Sequence, residues 1–190
     1  MALFDEADLK ERLGALPDLA RVEFAAACAS RMSRPWRDAR QTLGLAESDR
    51  LSEAVGSLRR YVRGGPTSDW SGLASELVSE IPDEDEMTTA SHAVLDDALA
   101  ATAYALRTAA TFDPKEAAWA AKRLYEAVDS CAQRSLSVRG FTPDVERALL
   151  QDPRVQRELQ GQGRDLAELE AARDADHVPT LSERSETALE

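Results

Sequence analysis

His92 and Asp96 stand four residues apart, a spacing that puts both side chains on one face of a helix. A carboxylate so placed could orient an imidazole or share a cation with it. The competing reading is a surface pair near a helix N-terminus. Asp97, one residue on, falls at the border of an apolar face, where an ionised carboxylate must find donors or shift its pKa. An arginine from the Arg31–Arg40 region is the expected partner, with simple exposure as the alternative. Arg31, Arg34, Arg37 and Arg40, with Trp36 among them, form a strip suited to anions. Guanidinium groups fork onto phosphate, and an indole stacks on a base. Asp38 interrupts the strip, and the net charge of the chain is −12. Nucleic acid is therefore the weaker outlet for this charge; ion pairs with the acidic 76–97 region, or a protein interface, are the stronger.

Other signatures are incomplete. Asp83 and Asp85 have the spacing of a calcium loop, but Met87, Thr88 and Val94 stand where a ligand, the turn glycine and the bidentate glutamate belong. Asp83-Glu84-Asp85-Glu86 reads as a solvated acidic loop. Paired Glu-x-x-His, Cys-x-x-Cys, His-Glu-x-x-His and glycine-rich phosphate-loop spacings are absent. Cys28 and Cys131 lie among alanines and read as buried, reduced side chains. His177 falls in a C-terminal stretch without apolar periodicity. No metal, cofactor or catalytic residue is assigned.

The chain has 190 residues, enough for one domain with a sizeable core and a tail. No apolar run is long enough to span a bilayer, the first residues do not resemble a secretory signal, and the expected location is cytoplasmic. Charge is unevenly spread: residues 31–63 hold eight arginines against four acids, and residues 64–112 one arginine against nine acids.

The elements that must position these groups are helices. Thr89–Ala110 places Val94, Leu95, Ala98, Leu99, Ala101, Thr102, Ala105 and Leu106 on one broad face. His92, Asp96, Ala100, Ala103 and Arg107 share a narrow opposite stripe. Alanine at this density favours the helix and lets neighbours approach closely, so the segment is expected to be the central helix. Around it the spacing predicts helices over Phe4–Leu13, Pro17–Met32, Trp36–Leu43 (Pro35 interrupting), a stretch from Ser48 through Leu51, Val55, Leu58 and Val62, and Ser68–Ile81. Asp113-Pro114, Thr142-Pro143 and Asp152-Pro153 each start another. Gly161 and Gly163 predict bending or fraying in the last. No segment alternates long enough for a strand. The expectation is an all-α domain over 1–175, eight or nine helices in a bundle or orthogonal array, and a disordered tail over 176–190.

Several pieces, in order, resemble the bacterial YjaG-like proteins, a family of unknown function. They are Phe24-Ala-Ala-Ala-Cys28-Ala-Ser-Arg31 followed by Pro35-Trp36; Leu73 to Pro82 with the acidic loop behind it; the alanine-rich helix with Asp97-Ala98; and Asp152-Pro153-Arg154-Val155-Gln156-Arg157-Glu158. The resemblance covers roughly residues 3–170 and implies an all-helical, soluble, cytoplasmic protein. It carries no reaction, cofactor or catalytic residue. Gly161, Gly163 and the C-terminal extension depart from the family's pattern.

The functional expectation is a non-enzymatic helical module working through an unidentified protein partner or self-association, in one version as an acidic neutraliser of a basic partner. Alternatives are a metal-binding protein or enzyme using His92, Asp96 and the acidic loop, or a weak nucleic-acid binder through Arg34, Trp36 and Arg37.

Overall fold

The computed structural model of the chain describes residues 1–81, 89–136, 142–175 and 177–181. Among them the secondary structure is helical and no strand occurs. The described residues form nine helices in order: α1 (Glu6–Gly14), α2 (Asp18–Arg31), α3 (Ser33–Thr42), α4 (Arg50–Val62), α5 (Trp70–Val78), α6 (Ala90–Thr111), α7 (Pro114–Leu136), α8 (Pro143–Leu150) and α9 (Pro153–Ala171).

Short polar side chains open many of them, as free backbone N–H groups require. Asp5 accepts from the amides of Ala7 and Asp8, Asp69 from Gly72, Thr89 from His92, Thr142 from Val145 and Asp152 from Arg154. α6 ends on Phe112, a left-handed residue with φ 56°, and after Asp113 the chain enters α7. Arg21 braces this turn: its guanidinium donates to the carbonyls of Leu13, Leu16 and Phe112 at 2.9, 2.7 and 2.7 Å. One side chain thus joins the α1–α2 link to the α6–α7 turn.

α6 lies at the centre, packed against α2, α3, α4, α5 and α7. Leu95, Leu99 and Leu106 are buried in the core. Alanines make the tightest part of the contact: Ala98, Ala101 and Ala105 of α6, Ala25, Ala26 and Ala29 of α2, and Ala117, Ala120 and Ala121 of α7 are all fully buried. With only a methyl group to separate them, the helices approach closely and each contact excludes water. The jacket also covers Ala100 and Ala103, two positions that periodicity assigns to the narrow polar stripe.

Three expectations are corrected. α3 begins at Ser33, so Pro35 sits inside its first turn rather than ahead of it. A proline there forfeits no helical hydrogen bond. α9 is helical through Gly161 and Gly163 without fraying, because Leu159, Gln162, Asp165 and Leu166 on its inner face are buried and hold the turn that the glycines weaken. Finally, the chain does not leave the domain at residue 176. Leu181 is buried, and its backbone N–H donates to Glu23 Oε1 at 3.0 Å. His177 is exposed. Residues 182–190 and the acidic loop Asp83–Glu86 lie outside the described residues.

Candidate functional site: an arginine-lined cleft

α3 and α4 both rest on α2 and α6. α3 turns Trp36 and Ala39 inward, leaving Arg34 and Arg37 on the outside at i, i+3. α4 buries Leu51, Val55, Leu58 and Val62, which brings Ser52, Gly56, Arg60 and Arg63 to its α3-facing side. Between the two helices and the last turn of α2 opens a cleft of about 420 Å³. Arg31, Arg34, Arg37, Arg59, Arg60 and Arg63 line it, with Ser30, Ser33 and Ser52. No acidic side chain among the described residues lines it.

Six like charges in one cleft require counter-charge, and the core supplies some from behind. Arg31 is nearly inaccessible at 6 % exposure. Its Nη1 donates to Asp165 Oδ2 at 2.7 Å and its Nη2 to Glu158 Oε1 at 3.1 Å, both on α9. Gln162 steadies Glu158, donating at 3.1 Å while also reaching the Ala121 carbonyl of α7. Burial works against the Arg31 charge, but the carboxylates Glu158 and Asp165 around it win, and its pKa is raised. The Nε of Arg31 is buried without an acceptor among the described residues. Beside this network lies Glu23. Burial pushes its carboxyl up, against the pull of the Leu181 amide and of Arg59 and Arg63. Arg34 stands 3.9 Å from Asp38, and Arg60 donates to Ser57 Oγ at 2.9 Å. Arg63 reaches Thr180 Oγ1 at 3.3 Å.

The sequence-derived residues are therefore divided between different places. Arg31, Arg34 and Arg37 come together in the cleft; Arg40 leaves it, capping the chain through the Ala46 carbonyl and lying 5.0 Å above the Trp36 ring. Trp36 is in the core at 1 % exposure and has no face to offer a base. In the acidic 76–97 region that the strip was expected to meet, Glu76 and Glu80 pair with Arg50, beyond the strip, Glu76 at 2.8 Å, while Asp83–Glu86 lie outside the described residues. Asp97 does not take an arginine from Arg31–Arg40. Its partner is Arg123 of α7, at 3.3 Å, which also faces Asp96 at 3.7 Å and Glu126 at 3.8 Å. Burial pushes the Asp97 carboxyl up to about 7, Arg123 opposing and Asp96 and Glu126 adding to the rise.

The His92–Asp96 pair is likewise divided. Asp96 turns toward Arg123, and His92 Nδ1 lies 3.0 Å from the capping Thr89 Oγ1. Among the described residues no group of three or more histidine, cysteine or acidic side chains could hold a metal ion. Cys28 is wholly buried, and burial lifts its thiol to about 12 despite Arg31 beside it.

Sequence reasoning missed Arg59, Arg60 and Arg63 as site residues, although the basic excess over 31–63 already contained them. It also missed Glu158, Gln162 and Asp165, whose signal is polar residues at i, i+4 and i+7 on the same face as Leu159 and Leu166.

Fold and site together define an all-α protein built on a central alanine-rich helix and carrying a basic cleft. The same fold occurs in a crystal structure of a DUF416 family protein from Shewanella baltica OS155, with a TM-score of 0.74 and 15% sequence identity over 90% of this chain and 87% of that one. No protein-family model matches the sequence, and no curated protein matches it. Among the described residues, no helix is long and apolar enough to cross a membrane.

Proposed function

We propose that this chain is a non-enzymatic interaction module of the YjaG-like kind, acting in the cytoplasm through contact with a protein partner or a second copy of itself. The observation that carries the reading is the cleft between α3 and α4. Six arginines from three helices converge there, on a floor held rigid by Arg31, Glu158 and Asp165. Arginine forks suit carboxylate groups, so the cleft is matched to an acidic segment of a partner. The burial of Trp36 argues against single-stranded nucleic acid as the ligand, since the strip loses its stacking platform. The separation of His92 from Asp96 leaves little to support a metal or an acid–base pair at that place.

A fluorescein-labelled eight-residue polyglutamate peptide tests this reading by anisotropy at low ionic strength. Binding that is lost with Arg37→Glu and Arg60→Glu, and weakened by salt, is the expected result. Equal binding by the charge-reversed protein would refute it.

The net charge of −12 favours a second reading, in which the acidic surface neutralises a basic partner. A salt-sensitive partner recovered from lysate by the charge-reversed protein as readily as by the native one would favour this second reading over the first.

A further inference from the structure

We propose that the arginine cleft is a site for a short phosphoryl chain, a di- or triphosphate free or at the end of a small molecule, which competes there with the acidic segment of a partner. The proposal names a further ligand class for the site described above and rests on its reading as an anion-binding cleft.

Four observations carry it. The first is the donor set. Six arginines and the hydroxyls of Ser30, Ser33 and Ser52 come from the end of α2, from α3 and from α4, so they approach a bound group from three sides. A carboxylate offers two oxygens in one plane, which a single guanidinium fork satisfies. A phosphoryl group presents three acceptor oxygens on a tetrahedron and takes donors from several directions. Arg37, Arg60 and Arg63 form no ion pair among the described residues; Arg60 and Arg63 donate to the hydroxyls of Ser57 and Thr180.

The second is the floor. Arg31 lines the cleft while nearly inaccessible, and its Nε is a buried donor without an acceptor among the described residues. A buried donor left unmet is costly, and an oxyanion seated on the floor supplies an acceptor. α3 adds to this: it opens at Ser33 with no side-chain cap, and its first two residues line the cleft. The positive end of its dipole therefore lies at the site.

The third is size and lining. A volume of about 420 Å³ suits a small molecule. Among the described lining residues Val55 is the single apolar side chain, and Trp36 is in the core. The cleft thus grips charge and offers no face for a base or an acyl chain. The fourth is the surroundings. Residues 31–63 are basic in a chain of net charge −12, so the remaining residues carry more negative charge than the whole. A long acidic peptide runs onto that surface at its ends, whereas a compact polyanion stays where the walls focus the positive field.

Calorimetric titration of the full chain at pH 7.5, at low ionic strength and without divalent cations, tests the proposal. Pyrophosphate and citrate carry nearly the same charge under these conditions, so the pair separates phosphoryl chemistry from charge alone. Pyrophosphate is expected to bind roughly tenfold more tightly than citrate, the ratio that one further charge-assisted hydrogen bond supplies. Tripolyphosphate should bind more tightly again, and adenosine triphosphate no more tightly than tripolyphosphate. Arg37→Gln with Arg60→Gln, both exposed, should weaken pyrophosphate binding by roughly tenfold or more and leave melting without ligand unchanged. Citrate binding as tightly as pyrophosphate, a nucleotide binding more tightly than tripolyphosphate, or unaltered affinity in the double variant would overturn the proposal. Polyglutamate binding with no pyrophosphate binding would overturn it and leave the partner reading standing. Pyrophosphate binding with no polyglutamate binding would uphold it and remove the partner reading instead.

Discussion

Arg31 of α2 and Asp165 of α9 meet across 134 residues of sequence through a buried hydrogen bond of 2.7 Å. With Glu158 on the same guanidinium, this contact fixes the C-terminal helix against the first long helix and sets the floor of the arginine cleft.

Removing the cation leaves two buried carboxylates unpaired. Arg31→Met is expected to lower unfolding free energy by about 3–5 kcal/mol, as breaking one side of a buried ion pair does. Replacing Glu158 and Asp165 by glutamine and asparagine in the same chain should recover much of the loss, because the triad as a whole is offset by its desolvation. Urea denaturation measures both, and a loss below about 1 kcal/mol for the single variant would contradict the geometry.

Asp97 makes stability depend on pH. Its carboxyl is raised from 3.8 to about 7 in the fold. The folded state therefore holds a proton that the unfolded state has released between those values. The stabilisation is fully present below pH 4 and is lost as pH rises to about 7. The other groups facing Asp97 are Arg123, Asp96 and Glu126. Asp97→Asn should flatten the profile over this window and raise stability at pH 8 by on the order of 1–3 kcal/mol. Parallel melting curves of the two proteins from pH 4 to 8 provide the comparison; profiles of identical slope would rule the assignment out.

The two cysteines should react very differently. Cys28 is fully buried with its thiol lifted to about 12, whereas Cys131 is partly exposed. A disulfide reagent at pH 8 is expected to modify Cys131 in the native protein and Cys28 only on unfolding. Mass spectrometry of the partly labelled protein identifies the site, and early labelling of Cys28 would mean that α2 is not packed as described.

Leu181 should behave as a core residue despite its distance from the last helix. Leu181→Ala is expected to cost about 2–4 kcal/mol, within the range for truncating a buried leucine. Leu3, an exposed leucine at the other end of the chain, is the control and should cost little. Chemical denaturation of the two variants gives the answer; equal midpoints would remove the anchor at residues 177–181.

Much of the scaffold was legible without coordinates. The alanine-rich segment that became α6 carries its own evidence: helix-favouring residues, a broad apolar face, and the Thr89 cap. Asp113-Pro114, Thr142-Pro143 and Asp152-Pro153 mark helix starts because proline's fixed φ and missing N–H are tolerated only in the first turn. The site was less legible. Arg34 and Arg37 read correctly as neighbours, but Arg59, Arg60 and Arg63 lie on another helix. Stacking by Trp36 belonged to the weaker, nucleic-acid reading of the strip, and the packing of α3 on α6 puts its bulk in the core.

What the sequence by itself determined is therefore local: which stretches wind into helices, where most of them start, and the main apolar face of the central one. Those properties depend on backbone sterics, capping and a repeat of 3.6 residues, all contained within a few turns. Only the tertiary structure decided which face covers which, and so which charges meet. Asp97 found Arg123 rather than an arginine from the Arg31–Arg40 region, Arg31 found α9, and Leu181 found α2. Electrostatic partnership is a matter of distance in space and of the dielectric around the pair, and neither is written in the spacing of residues along one helix.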